Sequence, residues 1–156
     1  MDCGFVSGDF WFRYRAAAVI IEEGHVLFAK NDLDSYYYSI GGGVHLGEKA
    51  EDAVIREVFE ETGIEYEIDR LAFIHENFFA GSGTLNGLKC HEIAFYFLMK
   101  SRGSMELNSN SHTQGVREHM CWLPINKLKE YVAYPSFFSE KLLDIKKTVD
   151  HIVTYE

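Results

Sequence analysis

Residues 42–64 read GGVHLGEKAEDAVIREVFEETGI, and this stretch decides the fold. From Lys49 to Thr62 it holds neither Gly nor Pro and is rich in Ala and Glu, so it reads as a helix, with Gly63 where a left-handed C-terminal cap belongs. Projected at about 100° per residue, Glu57, Glu60 and Glu61 share an arc of roughly 100°, while Val54, Ile55, Val58 and Phe59 fill another side. The expectation is a helix that buries one side and presents three acids on another. Local stability does not account for those acids. Like charges at i,i+3 and i,i+4 each cost a few tenths of a kcal/mol, and acids in the last turn meet the negative end of the macrodipole at about 0.3–1 kcal/mol. A divalent cation does account for them, because Mg²⁺ or Mn²⁺ takes carboxylate oxygens together with waters and substrate phosphates. Ala50 and Ala53 point toward the same arc and are expected to leave room for a ligand. The plain alternative for a Glu-Glu pair is a solvated helix face.

On the N-terminal side, Ala16 to Ile21 and Val26 to Lys30 read as strands of a hairpin turning around Glu22-Glu23-Gly24-His25, and Tyr36 to Ile40 as a strand running into glycines. On the C-terminal side, Ile64 to Ile68, Leu71 to Glu76 and Glu92 to Met99 read as strands, with Gly81 to Leu88 a loop. Ser101 to Gly115 reads as a loop, Met120 to Leu123 as a short strand, and helices are expected near Pro124 and Pro135. Pro135 to Lys147 is amphipathic through Phe138, Leu142 and Ile145, which suits packing on the sheet or on a second subunit of a homodimer equally well. The class is α/β with a central mixed sheet, and no linker divides residues 1–156 into more than one domain.

Composition narrows the function. The chain has 156 residues, 47% of them apolar, and 24 Asp plus Glu against 15 Lys plus Arg, a formal charge of −9. That balance speaks against a nucleic-acid polymer as partner, because polyanions are gripped by Lys and Arg. A phosphate-bearing small molecule would need a cation as intermediary. Apolar runs fall short of the ~20 residues that span a bilayer, and Cys3, Cys90 and Cys121 lack disulfide or zinc spacing. The seven histidines show no helical metal spacing. A reduced, cytoplasmic protein with no membrane association is expected.

Read as a string, Gly42, five residues, Glu48, seven residues, then Arg56-Glu57-Val58-Phe59-Glu60-Glu61-Thr62-Gly63-Ile64 matches the whole signature of the Nudix hydrolases. At roughly 7% for each of seven fixed residues and about a hundred starts, chance delivers such a match about once in a million sequences. The chain therefore resembles that family over Gly42 to Ile64, and the hairpin before and Trp122-Leu123-Pro124 after look like its usual surroundings. The resemblance implies an α/β/α sandwich and hydrolysis of a nucleoside diphosphate linked to another moiety, a small nucleotide substrate, with Mg²⁺ or Mn²⁺. It makes Glu57, Glu60 and Glu61 the metal-binding acids and catalytic group, with Glu57 or a neighbour deprotonating the attacking water. It makes Arg56 the residue that positions Glu57, against a plain surface pair with Asp52, and gives Glu48 a supporting place. Gly41 would offer its carbonyl to a metal, and Gly42, Gly43 and Gly63 would shape the loops. A further acid from outside the motif points to Glu118, with Glu92 as its rival.

The chain departs from the family's pattern at Ile40, where Pro is common, and Phe79, Ala80 and Gly81 replace the markers of the ADP-ribose and dinucleoside polyphosphate subclasses. The coenzyme A motif is absent too. Substrate-binding residues are not legible, since aromatics such as Tyr36, Tyr37, Phe78, Phe79 and Trp122 read more readily as core than as stacking platform. A non-catalytic nucleotide-sensing module is the other class of function, and the complete set of acids speaks against it.

Overall fold

The structure is a computed structural model that describes residues 1–108, 112–113 and 116–156. In chain order the elements are β1 (Gly4–Ser7), β2 (Phe10–Val19), β3 (Ile21–Glu22), β4 (His25–Asn31), β5 (Tyr37–Gly43) and α1 (Ala50–Thr62). There follow β6 (Ile68–Ala80), β7 (Lys89–Met99), β8 (His112–Thr113), β9 (Val116–Pro124), β10 (Ala133–Tyr134), α2 (Phe138–Lys141) and β11 (Asp150–Thr154). The sheet runs β11-β6-β7-β2-β5-β4-β9-β8, with β1 on β2, β3 on β4 and β10 on β5. It is mixed: β2 pairs with β7, and β11 with β6, in parallel, whereas β2–β5, β4–β9 and β6–β7 are antiparallel.

Small residues in β2 let both faces pack closely. Ala16, Ala18 and Ile20 meet Val54 and Val58 of α1, and Ala17 and Val19 meet the opposite core containing Phe73, Phe137 and Phe138. This alternation follows from the period of two in a strand and makes α1 and α2 the outer layers of an α/β/α sandwich. No helix among the described residues is long and apolar enough to cross a membrane.

Several expectations shift. Strand β5 runs on through the glycines to Gly43, and β2 starts at Phe10 rather than Ala16. Residues 64–67 are irregular, because the left-handed Gly63 and the Ile64 N–H bonded to Thr62 Oγ1 (3.1 Å) turn the chain before Ile68 begins a single long β6. Pro124 ends β9 ahead of a 3-10 segment at Ile125–Glu130, and the helix near Pro135 is one turn. Strands β1 and β11 were not anticipated. Of the 101–115 loop, residues 109–111, 114 and 115 lie outside the described residues, and His112–Thr113 form β8.

The face of α1 is the substantive correction. Ala50 and Ala53, expected to leave room beside the acids, are 4% and 0% exposed within the core, while Ile55 and Phe59, assigned to the buried side, are 37% and 50% exposed. At about 100° per residue, Glu57 and Glu61 fall in the same arc as Ala50 and Val54. The acids are thus part of the buried face, not opposite to it, and only Glu60 turns outward, with 55% of its side chain exposed.

Candidate active site

Glycines make the site possible. The Gly41 N–H donates to Glu61 Oε2 at 3.0 Å, and a Cβ on Gly42 would stand 2.5 Å from Oε1 of Glu57. A side chain at Gly42 would collide with the Glu57 carboxylate that α1 sends toward β5, and one at Gly41 with the β2 backbone at Ala16 and Ala17. Gly63 has φ 72° and donates its N–H to the Phe59 carbonyl, closing α1 as its position in the sequence implied.

Arg56 organises the entrance. Its Nε and Nη2 donate to the two oxygens of Glu48 at 2.9 and 3.0 Å, Nη1 donates to Glu57 Oε1 at 2.7 Å, and Nη2 reaches the Gly43 carbonyl at 3.3 Å. The Arg56 bonds, with the His45 N–H as a further donor, hold the Glu48 carboxyl down to about 2. An Arg56–Asp52 pair does not occur among the ion pairs of the described residues. Glu60 lies 3.6 Å from the same guanidinium.

Glu57 and Glu61 behave differently. Burial pushes the Glu57 carboxyl up against the pull of Arg56. Burial pushes Glu61 well above the usual carboxylate range, and the charges of Glu118 and Glu57 push it further. Glu118 arrives from β9 on the far side of the sheet's centre, is 6% exposed, and accepts the Tyr38 hydroxyl at 2.7 Å. All four acids, Glu57, Glu60, Glu61 and Glu118, line one cavity of about 940 Å³, which Gly41 also borders. Glu92 lines it too, but its Oε2 holds Arg13 through Nε and Nη2 at 2.9 and 2.5 Å.

Carboxylates in mutual repulsion, with oxygen the only donor type, suit a hard divalent cation. Glu57, Glu60, Glu61 and Glu118 could hold it, although among the described residues no three acid, His or Cys side chains are already gathered into a ligand set.

The strand that begins early brought residues the sequence reading passed over. Arg13 and Arg15 alternate along β2 into the cavity, a period-two pair of charges that became readable as such only once β2 was seen to start at Phe10. Arg15 is 8% exposed and donates to Ser39 Oγ (3.0 Å), Tyr96 OH (3.3 Å) and the Ser39 carbonyl (2.8 Å). Of the aromatics considered, Tyr36 and Phe79 line the cavity, with Tyr36 edge-on to Tyr134 at 5.5 Å. Trp122 instead packs in the α1 core and donates Nε1–H to the Met105 carbonyl, and Phe78 lies against His91 and Tyr155.

The NUDIX domain family model matches residues 11–140. A MutT-like protein of Streptomyces ambofaciens is 32% identical over 129 residues, 82% of this chain and 73% of that protein. Among solved structures, a MutT NUDIX hydrolase from Burkholderia pseudomallei is 25% identical with TM-score 0.57, covering 74% of this chain and 84% of that one. A MutT protein from Methanosarcina mazei shares the fold at TM-score 0.66 and 22% identity, covering 86% and 95%. This chain belongs to the Nudix family, enzymes that hydrolyse pyrophosphate bonds in nucleoside diphosphate derivatives.

Proposed function

We propose that this protein hydrolyses the pyrophosphate bond of a small nucleotide, a nucleoside triphosphate, nucleotide sugar or dinucleotide, with Mg²⁺ or Mn²⁺ held by Glu57, Glu60, Glu61, Glu118 and the Gly41 carbonyl. The observation that carries the reading is the convergence of α1 and β9 carboxylates on one cleft beside Gly41. A cation there would neutralise the pyrophosphate oxygens and lower the pKa of water. Arg56 fixes the orientation of Glu57, whose raised basicity suits it to take the proton as water oxygen attacks phosphorus and the bridging P–O bond breaks. Glu48 in turn fixes Arg56. Lys and Arg are too few in the cleft to hold a polyphosphate alone: Arg13 and Arg15 stand against seven acids.

The test is release of phosphate or pyrophosphate from a nucleotide panel with Mg²⁺ or Mn²⁺, repeated with Glu57→Gln. Turnover that chelation abolishes and Glu57→Gln lowers by about 10²–10⁴-fold is the expected result. Nucleotide binding without turnover of any panel member would instead make the chain a sensing module.

A further inference from the structure

The acid that β9 brings to the cleft is held by a strand that is not its neighbour. Strand β4 lies between β5 and β9, and the register pairs Ala29 of β4 with Tyr38 on one side and Met120 on the other, and Asn31 with Glu118. Opposed residues, and every second residue along a strand, point to one face of a sheet. Ala29, Tyr38 and Met120 therefore share with Glu118 the face that α1 covers, where the first three join the core around Val54 and Val58. Ala29 carries only a methyl, so the Tyr38 ring can cross β4 diagonally, and its hydroxyl donates to Glu118 Oε2 at 2.7 Å.

That bond ties Glu118 to the strand that already seats the acids of α1. From β5, the Gly41 N–H donates to Glu61 at 3.0 Å, and Gly42 faces the Glu57 carboxylate. Glu57, Glu60 and Glu61 keep their spacing because one helix carries them. Glu118 has no such support: its partner Asn31 is the last residue of β4, so the β4–β9 ladder ends there. Glu118 and Glu61 are 6% and 7% exposed, and their charges oppose each other, which favours rotation of Glu118 away from α1. A hydrogen bond to an ionised acceptor resists that rotation. Tyrosine suits the task because its donor is neutral and aims the carboxylate without cancelling its charge. Arg13, by contrast, sets a full positive charge against Glu92 in the same cleft.

We propose that Tyr38 is a positioning residue of the active site: its hydroxyl holds Glu118 toward the acids of α1, so that the carboxylate is aimed at the cation before the cation arrives. This rests on the reading above that Glu118 is one of the cation's ligands. It adds a requirement for a hydroxyl at Tyr38, whose ring alone would satisfy the packing.

The test is Mn²⁺ binding without nucleotide, followed by loss of the free-ion EPR signal, so it does not depend on turnover. It compares wild type, Tyr38→Phe, Glu118→Gln, the double variant and Tyr66→Phe. Tyr66→Phe removes a like bond, from the Tyr66 hydroxyl to the buried Glu22, outside the cleft lining. Tyr38→Phe keeps the packed ring and should weaken Mn²⁺ binding about tenfold or more, within the range for partners that orient a metal's ligands. Glu118→Gln should weaken it at least as much, the double variant no further than Glu118→Gln alone, and Tyr66→Phe should bind as wild type does. Unchanged affinity in Tyr38→Phe or in Glu118→Gln overturns the proposal, as do losses that add in the double variant or a loss in Tyr66→Phe equal to that in Tyr38→Phe. Absence of Mn²⁺ binding in wild type defeats the metal-dependent reading itself and this role with it, whereas the other failures leave that reading standing.

Discussion

Glu22 and Glu61 are both almost wholly buried carboxylates, and their surroundings are opposite. Glu22, 1% exposed, accepts the Arg102 and Gly103 N–H groups at 2.9 and 3.1 Å, the Tyr66 hydroxyl at 3.2 Å and the Ser101 hydroxyl. Burial pushes its carboxyl up, but those donors outweigh burial and hold it below the usual range. Glu61 has the Gly41 N–H and the distant Arg15 charge on its side, yet burial and the acids around it win. One carboxylate pins the 101–103 segment to the hairpin of β3 and β4. The other is pushed up by burial and by the acids beside it, a repulsion that the proposed cation would relieve.

The largest expected effect that would break this contrast is at Glu61. Glu61→Gln should lower turnover by about a hundredfold or more in the presence of Mg²⁺. In chelator it should raise thermal stability, since it removes a buried charge; a rise of about 1 kcal/mol moves Tm by roughly 2–4 °C for a chain of this size. A stability loss in chelator would mean that Glu61 is a structural acid like Glu22.

Glu22→Gln should do the reverse: turnover per folded molecule unchanged, and stability down by about 1–3 kcal/mol in urea unfolding, because an amide cannot accept from every donor gathered there. The pH dependence separates the two in the metal-free protein. Glu22, lowered, contributes stability that is complete above the usual carboxylate value and is lost as pH falls through its folded pKa. Glu61, raised, is harmless below its unfolded value and costs stability as pH rises through its folded pKa. Comparing the stability-against-pH curves of wild type with each variant reads both signs.

The smallest effect sharpens the account of α1. Phe59→Ser, at a half-exposed position, should change stability by no more than about 0.5 kcal/mol, whereas Val58→Ala, wholly buried, should cost about 2 kcal/mol. Similar losses would restore the helix face first read from the sequence.

That face is where sequence and structure part most usefully. The spacing of Glu57, Glu60 and Glu61 on one arc was legible, because helical period is a local property. Which arc is buried was not, because acids were assumed to face water and Ile55 and Phe59 to face the core. A helix can bury a glutamate where a neighbouring strand lacks a side chain, and that the gap at Gly42 faces Glu57 is a tertiary fact. Glu118 was anticipated from the family's pattern, and the structure places it across the cleft from α1. Arg13 and Arg15 carry no local signal: each is an ordinary strand residue until the register of β7 and β2 sets it in the cleft.

By itself, the sequence determined the α/β class, the helix with its cap at Gly63, and the family to which that motif belongs, since these depend on residues close together in the chain. Only the tertiary structure decided which carboxylates are buried and which guanidiniums share their cleft. Burial and pairing depend on partners far apart in the chain, 80 residues in the case of Tyr38 and Glu118, and no local pattern encodes them.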